Sequence, residues 1–167
     1  MNILEEFRTE KDRFFASDPQ SPLQSDQKRG FQGLKYFPEN PALRFEGVVQ
    51  KLSNQESIQI QTSTGDVQEY TRYGKFHFVV DEKEAELTIF ADSESYFLPF
   101  VDVLAGTRTY GAGRYIEPIP LGDDMFLIDF NYAYNPYCAY NEYWSCPLTP
   151  VENRLRVAIE AGEKIFH

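Results

Sequence analysis

The sequence predicts a mainly β protein, either an antiparallel sandwich or an open barrel, with an N-terminal helix and a long C-terminal loop. From residue 43 onward, apolar and polar residues alternate with the two-residue period of half-buried strands. Turn signals separate these segments at intervals of roughly ten residues. The 167 residues have the length of one domain. We therefore expect a single domain, 1–167, in which an N-terminal helical segment (1–33) packs on a β core (43–167) with a functional loop at 129–154.

The N-terminal helix is predicted by apolar residues at helical spacing, with Glu and Lys on the opposite side. Ser17-Asp18-Pro19 ends this helix. Ser21-Pro22 then offers an N-cap followed by proline at the first helical position, which predicts a short helical turn through Lys28. The apolar residues of the first helix are Ile3, Leu4, Phe7, Phe14 and Phe15.

The strands are predicted by alternating or short apolar runs bounded by turn residues. The tail at 155–165 is ambiguous between strand and helix, and a strand followed by a turn at Gly162 is favoured. The predicted strands cover 43–52, a segment around Ile58 and Ile60, 67–80 with a bend at Gly74, 86–90, 108–119 with a glycine bulge at Gly111 and Gly113, and 125–130. The segment 97–103 is also apolar but is interrupted by Pro99.

The charge pattern narrows the choice of partners and compartment. The net charge is −10, and no basic stripe interleaved with aromatic residues is present, so nucleic acid and anionic membrane surfaces are not expected partners. The N-terminus carries acidic residues where a signal peptide carries basic ones, and no run approaches the roughly 18 apolar residues of a membrane span. We therefore expect an acidic cytoplasmic protein whose cysteines are reduced. The oligomeric state stays open.

The C-terminal third contains the motifs by which this sequence resembles a known family. The segments GRYIE (113–117), DFNYAYNPYCAYN (129–141), SCPL (145–148) and ENRLRVAIEAGEK (152–164) together resemble the DUF1684 family of uncharacterised, mostly bacterial proteins. SPL at 21–23 and GLKYFPENPALR at 33–44 extend the resemblance over nearly the whole chain. The resemblance implies no activity. It implies that the family signature includes Asp129, Asn131, Asn135, Cys138, Asn141, Cys146, Glu152, Asn153 and Arg154.

Residue chemistry in this region predicts a polar cleft that binds a small polar or anionic molecule. Arginine guanidinium groups suit carboxylate or phosphate, asparagine amides suit hydroxyl groups, and Tyr134, Tyr137, Tyr140 and Trp144 would form the walls. The predicted ligand-binding residues are Arg108, Arg114, Asn131, Asn135, Asn141, Asn153, Arg154, Tyr134 and Tyr140.

Two other classes of function stay open. The first is a hydrolase or lyase in which Asp129 or Glu152 is the general base and Arg114 stabilises developing negative charge. The second is a structural or protein-interaction module, in which an Asp129–Arg114 or Glu152–Arg154 ion pair holds the loop and the tyrosines form an interface. Whether the protein is an enzyme is therefore left undecided.

The cysteines permit several interpretations. The C-x7-C spacing of Cys138 and Cys146 does not match a zinc ribbon, and His77 and His167 are the only histidines. Cys138 is a third catalytic candidate, as a nucleophile, but two buried, reduced thiols are the more common outcome. We predict no metal site. No cofactor is expected either, because Gly111-Ala112-Gly113 lacks the third glycine of a dinucleotide fingerprint.

Overall fold

The computed structural model describes residues 2–167 and contains two antiparallel sheets that do not close into a barrel. The first helix, α1 (Ile3–Ser17), is confirmed as predicted. It begins at a capping box: the Asn2 side chain accepts a hydrogen bond from the Glu5 backbone N–H (2.8 Å), and the Glu5 carboxylate accepts one from the Asn2 backbone N–H (3.1 Å).

The second helix, α2 (Ser25–Arg29), begins later than predicted. Ser21 is not its N-cap; that position belongs to Gln24. The Ser21 hydroxyl instead donates to the carbonyl oxygen of Phe15 (2.7 Å) and accepts from the Leu23 backbone N–H (3.2 Å). The serine therefore fastens the chain to the end of α1 rather than starting a new helix.

The strands form one three-stranded and one larger sheet, which confirms the mainly antiparallel β class. The order is β1-β9-β8 in the first sheet and β2-β4-β5-β6-β7 in the second, where β3 also pairs with β4. Buried apolar residues from both sheets share one core. The strands are β1 Arg44–Val48, β2 Gln50–Lys51, β3 Ser57–Gln61, β4 Val67–Val80, β5 Lys83–Ala91, β6 Tyr96–Phe100, β7 Arg114–Ile116, β8 Ile119–Gly122 and β9 Met125–Asp129.

The predicted strand at 43–52 is divided between the two sheets. Val49 separates β1 from β2; its backbone N–H donates to the Asp124 carbonyl oxygen (2.9 Å) and its side chain is buried. The chain passes from one sheet to the other at Val49, and Gly74 leaves room for the Val49 side chain, because a Cβ atom at position 74 would lie 2.6 Å from Val49 Cγ1. The pairing of β4 with β5 shifts register between Arg72 and Gly74, at the position where the sequence predicts a bend.

Two other strand predictions are wrong. Within 108–119 only β7 and the start of β8 are strands, because the residues before β7 form turns around the Leu104 carbonyl oxygen, which accepts from the backbone N–H groups of Thr107, Arg108 and Thr109. The tail at 155–165 forms no strand, and Glu163 makes a single bridge to Tyr36. Its turn at Gly162 is confirmed, with φ +77°.

Helix α1 lies beside the outer face of the three-stranded sheet. Along β9, Phe126 and Ile128 point into the core, and the half-buried Leu127 and Asp129 alternate with them toward the opposite face. On α1, Leu4 and Phe15 are buried. Within residues 2–167, no helix has the length and apolar character needed to cross a membrane.

Candidate functional site

Arg114, predicted to bind a ligand, is buried beneath the C-terminal tail. Its side chain is 1% exposed, and its guanidinium donates to the carbonyl oxygens of Ile159 (2.9 Å), Ala161 (2.5 Å) and Glu163 (3.1 Å). The Asp102 carboxylate lies 3.5 Å away and also accepts from the Ile159 backbone N–H (2.7 Å). Burial lowers the pKa of Arg114 to about 10. These contacts support a structural role: Arg114 holds an irregular tail that has no strand partner of its own.

The ion pairs proposed from sequence for this loop are wrong. Arg114 pairs with Asp102 rather than Asp129, whose carboxylate lies 3.8 Å from Arg44 Nη1. Asp129 also accepts from the Asn131 backbone N–H (3.0 Å) and so caps the following turn. The partner of Asp129 is thus distant in sequence, whereas Arg114 pairs with a residue only 12 positions away.

Glu152, a candidate general base, belongs to an ion-pair network on the larger sheet. Arg72 donates to one carboxylate oxygen (2.7 Å), the Thr88 hydroxyl donates to the other (2.8 Å), and Lys75 Nζ lies 3.7 Å away. Burial opposes ionisation, but these hydrogen bonds and positive charges outweigh it, so the pKa of Glu152 is lowered. Its predicted partner Arg154 is exposed. The contacts favour an ionised structural carboxylate over a general base.

The four predicted asparagines mainly bind backbone groups. Asn153 is fully buried, accepts from the Thr88 backbone N–H (2.8 Å), and donates to the carbonyl oxygens of Thr88 (2.9 Å) and Pro99 (2.8 Å). It therefore ties the loop to two strands of the larger sheet. In the same way, Asn131 bonds the backbone of Asn40, Asn135 donates to the Lys164 carbonyl oxygen, and Asn141 donates to that of Pro22.

Glu163 is a buried carboxylate that the sequence pattern does not single out. It is 1% exposed and accepts hydrogen bonds from the Asn135 backbone N–H (3.0 Å), the Tyr140 hydroxyl (2.8 Å) and Lys11 Nζ. Burial raises the pKa of Tyr140, and the Glu163 charge adds to that effect. The Lys11–Glu163 ion pair anchors α1 to the tail.

A cleft of about 1630 Å³ lies between α1, the three-stranded sheet and the strand ends around Tyr96 and Ile116. Most of its lining is apolar or aromatic. On α1 the lining includes Ile3 and Phe7, which are 77% and 43% exposed. On the sheet side it includes Leu127.

The charged groups of the cleft are mostly acidic. Of its two cations, Lys11 is paired with Glu163, and Arg44 lies 3.2 Å from Glu46 and 3.8 Å from Asp129. Burial raises the pKa of Tyr134. Its hydroxyl donates a hydrogen bond to one carboxylate oxygen of Glu117 (3.1 Å). The carboxylates that line the cleft are Glu6, Glu10, Glu39, Glu94, Glu117 and Asp129.

The two cysteines contact one another near a separate surface pocket of about 370 Å³. The Cys138 backbone N–H donates to Cys146 Sγ (3.3 Å), and both thiols are free. His77 lies on the surface, 3.2 Å from Glu86. Among residues 2–167, no cluster of three or more His, Cys, Asp or Glu side chains is arranged to hold a metal ion.

The comparisons with known proteins place the chain in a family. Residues 29–164 match the family model described as protein of unknown function, DUF1684. The chain belongs to the DUF1684 family. It is also similar to the solution NMR structure of an uncharacterized protein from Haloarcula marismortui, with 38% sequence identity over 96% of this chain and 91% of that one and a TM-score of 0.74. A search of the curated proteins found no match.

In this DUF1684 protein, the predicted site residues do not converge on one ligand site. Asp129 and Tyr134 line the large cleft, as does the predicted wall residue Tyr137. Tyr140, Asn141 and Cys138 border the smaller pocket. Arg108 is exposed and pairs with Glu160 (2.6 Å). The predicted residues outside both lining sets are Arg108, Arg114, Asn131, Asn135, Glu152, Asn153 and Arg154.

The width of the apolar stripe on α1 gives no sequence signal for the cleft. The predicted stripe contains two pairs of adjacent residues, Ile3 with Leu4 and Phe14 with Phe15. Adjacent helical residues point about 100° apart, and an apolar stripe of about that width is normal for a helix that packs on one side. The structure buries Leu4 and Phe15 and leaves Ile3 and Phe7 facing the cleft.

Proposed function

We propose that this protein binds a small molecule in the cleft beside α1, and that the ligand combines an apolar body with a cationic or hydrogen-bond-donating group. The observation that carries the proposal is the composition of the cleft: an apolar and aromatic lining combined with six carboxylates and two cations. Binding sites for small molecules are typically apolar clefts with a few polar groups that orient the ligand.

The apolar part of the proposal rests on α1. A surface helix normally buries its apolar residues and exposes its polar ones. Here Ile3 is 77% exposed and Phe7 is 43% exposed, and both border the same cleft as Leu127 and Ile116. An apolar ligand body between these residues would remove their surface from water, with a gain of about 25 cal/mol per Å².

The polar part rests on charge. Both cations of the cleft already have carboxylate partners, whereas Glu6 and Glu94 line it and form no ion pair within residues 2–167. The field inside the cleft is therefore negative. That field favours an ammonium or amidinium group over the anionic ligand predicted from sequence. The three arginines on which the anionic prediction depends, Arg108, Arg114 and Arg154, line neither pocket.

Catalysis receives less support from the same geometry. The hydrolase or lyase alternative requires Asp129 or Glu152 as the general base and Arg114 as the group that stabilises negative charge. Arg114 is buried with four internal partners, and neither Arg114 nor Glu152 lines the cleft. Asp129 lines it, but its carboxylate already accepts two hydrogen bonds from Asn131. A binding function does not require Asp129 or Arg114 to be free of these internal contacts.

The proposal is tested with three probes that share one chain length: octylammonium, octanol and octanoate. Each is titrated into ¹⁵N-labelled protein at low salt, and amide shifts are mapped. We expect shifts on α1 and β9, with octylammonium binding about tenfold more tightly than octanoate, a ratio that corresponds to about 1.4 kcal/mol. Added salt should reduce that ratio.

Two outcomes would contradict the proposal. If none of the probes shifts α1 or β9 resonances, the cleft is not a binding site for amphipathic small molecules. If octanoate binds more tightly than octylammonium, the cationic preference is wrong and the anionic ligand predicted from sequence gains support.

A further inference from the structure

Cys138 and Cys146 form a thiol pair held in contact by separate parts of the chain. Cys138 lies in the short 3₁₀ turn Tyr137–Ala139, and its backbone N–H donates to Cys146 Sγ (3.3 Å). The Tyr110 hydroxyl lies 3.7 Å from Cys138 Sγ. Cys146 is fixed by Ser63, whose hydroxyl accepts from the Cys146 backbone N–H (3.1 Å) and whose N–H donates to the Cys146 carbonyl oxygen (2.9 Å). The folded chain therefore holds the Cys146 sulfur against the backbone of Cys138.

The two thiols differ in access. Cys138 is half-buried and borders the 370 Å³ surface pocket, together with Gln27, Asn141 and His167. Cys146 is 7% exposed and does not line that pocket. A small solute that enters the pocket is therefore in contact with Cys138 and not with Cys146.

The pKa shifts of the two thiols also favour Cys138 as the more reactive cysteine. The hydrogen bond from the Cys146 thiol lowers the pKa of Cys138 to about 6; burial opposes this, and hydrogen bonds from Tyr110 and Ser63 assist it. The pKa of Cys146 is raised by the same hydrogen bond and by burial. The thiolate is the nucleophilic form of cysteine, so these opposite shifts favour Cys138 over Cys146 as the nucleophile.

We propose that Cys138 is a site of oxidation by hydroperoxides and that Cys146 is its resolving thiol. In the first step the Cys138 thiolate attacks the peroxide: an S–O bond forms, the O–O bond breaks, and the leaving oxygen departs as hydroxide or alkoxide. Sulfur is oxidised by two electrons to a sulfenic acid, and the peroxide is reduced.

In the second step Cys146 attacks the sulfenic acid. The S–S bond forms, the S–O bond breaks, and the Cys146 proton leaves with the displaced hydroxyl as water. Conversion of Cys138 to a neutral sulfenic acid also removes the thiolate that Cys146 had stabilised. The product is an intramolecular disulfide that a dithiol restores to two thiols.

The test uses the full chain treated with hydrogen peroxide, followed by intact-mass and peptide mass spectrometry. Wild type should lose two hydrogens and both titratable thiols, with the Cys138 and Cys146 peptides linked. Cys146→Ser should gain one oxygen on Cys138 and form an adduct with dimedone, a diketone specific for sulfenic acids. Cys138→Ser should oxidise at Cys146 at least about tenfold more slowly than wild type, because the remaining thiol is buried.

The proposal is overturned if Cys138→Ser and wild type lose thiols at the same rate, or if wild type gives only higher oxides or intermolecular disulfides. Circular dichroism of both variants identifies any change that comes from misfolding, and Cys146→Ser keeps the prediction testable if Cys138→Ser does not fold. Because neither cysteine lines the α1 cleft, this result is independent of the ligand-binding proposal.

Discussion

The region around Arg114 and the cleft beside α1 are both rich in chemically active residues, but they use them in opposite ways. Around Arg114, charged and amide groups are buried and bonded to backbone carbonyl oxygens and to one another. In the cleft, carboxylates stand beside exposed apolar side chains. Around Arg114 the polar groups form hydrogen bonds within the protein. In the cleft, some carboxylates are left to bind a ligand.

The difference shows that a dense polar motif is not by itself a site. The loop and tail after residue 129 have little regular structure, so their backbone groups need partners that strands would otherwise supply. Arg114 and Asn153 supply several of those partners. Arg114 and Asn153 therefore support the conformation of this segment.

The largest effect is expected from Arg114→Ala. The substitution leaves Asp102 buried without its cation and removes the donor to the carbonyl oxygens of three tail residues, so we expect a loss of about 3–5 kcal/mol in unfolding free energy. Urea denaturation followed by circular dichroism measures it. Arg154→Ala, at an exposed arginine, is the matched control and should change stability by less than about 0.5 kcal/mol. Equal effects of the two variants would refute the structural role of Arg114.

A smaller effect is expected from Gly162→Ala. Position 162 has φ +77°, and a Cβ there would lie 2.7 Å from the Ala133 carbonyl oxygen and 2.8 Å from that of Phe130. Gly65→Ala is the control, since φ is +90° there but the space around it is open. We expect Gly162→Ala to lose about 1–3 kcal/mol more than the control in thermal or urea unfolding. If the two variants are equally stable, close packing of the tail on Ala133 is not a stability determinant.

The cleft should behave differently from the Arg114 region. Phe7 is 43% exposed, and its ring contacts Tyr132 with centroids 5.0 Å apart. We expect Phe7→Ser to lose only about 1 kcal/mol of stability while weakening octylammonium binding at least about tenfold in the NMR titration. Val67→Ser, at an exposed apolar residue that does not line the cleft, should leave binding unchanged. If Phe7→Ser binds octylammonium as tightly as wild type, the ligand does not contact Phe7 on α1.

The smallest effect concerns pH and Glu152. Because the folded-state pKa of Glu152 is lowered below its ordinary value of 4.5, its contribution to stability is complete above about pH 4.5 and is lost as pH falls through the folded-state pKa. Glu152→Gln should therefore reduce the loss of unfolding free energy between pH 5 and pH 3, by less than about 1 kcal/mol for this partly exposed network. Urea midpoints at several pH values measure this, with Glu84→Gln, an exposed carboxylate on the same sheet, as control. If Glu84→Gln changes the pH dependence of the unfolding free energy more than Glu152→Gln does, the acid sensitivity does not come from Glu152.

The sequence by itself determined the elements whose signals are local. The two-residue period predicts the antiparallel sheets, the apolar stripe and its Ser17-Asp18-Pro19 end predict α1, and Gly162 predicts its turn. The family motifs are also local strings, so the amino-acid sequence is enough to show the resemblance to DUF1684. Local backbone preference and side-chain periodicity are enough for the predictions of secondary structure.

The tertiary structure decided which distant groups meet. Nothing in the spacing of Arg114 indicates that it binds the carbonyl oxygens of residues 159–163, and nothing near Glu163 indicates Lys11 as its partner. Strand alternation tells which side chains face the core, but not which outer face a helix will cover. The cleft exists because α1 is anchored by Lys11 and Phe15 beside the three-stranded sheet, and that placement results from packing between segments more than a hundred residues apart.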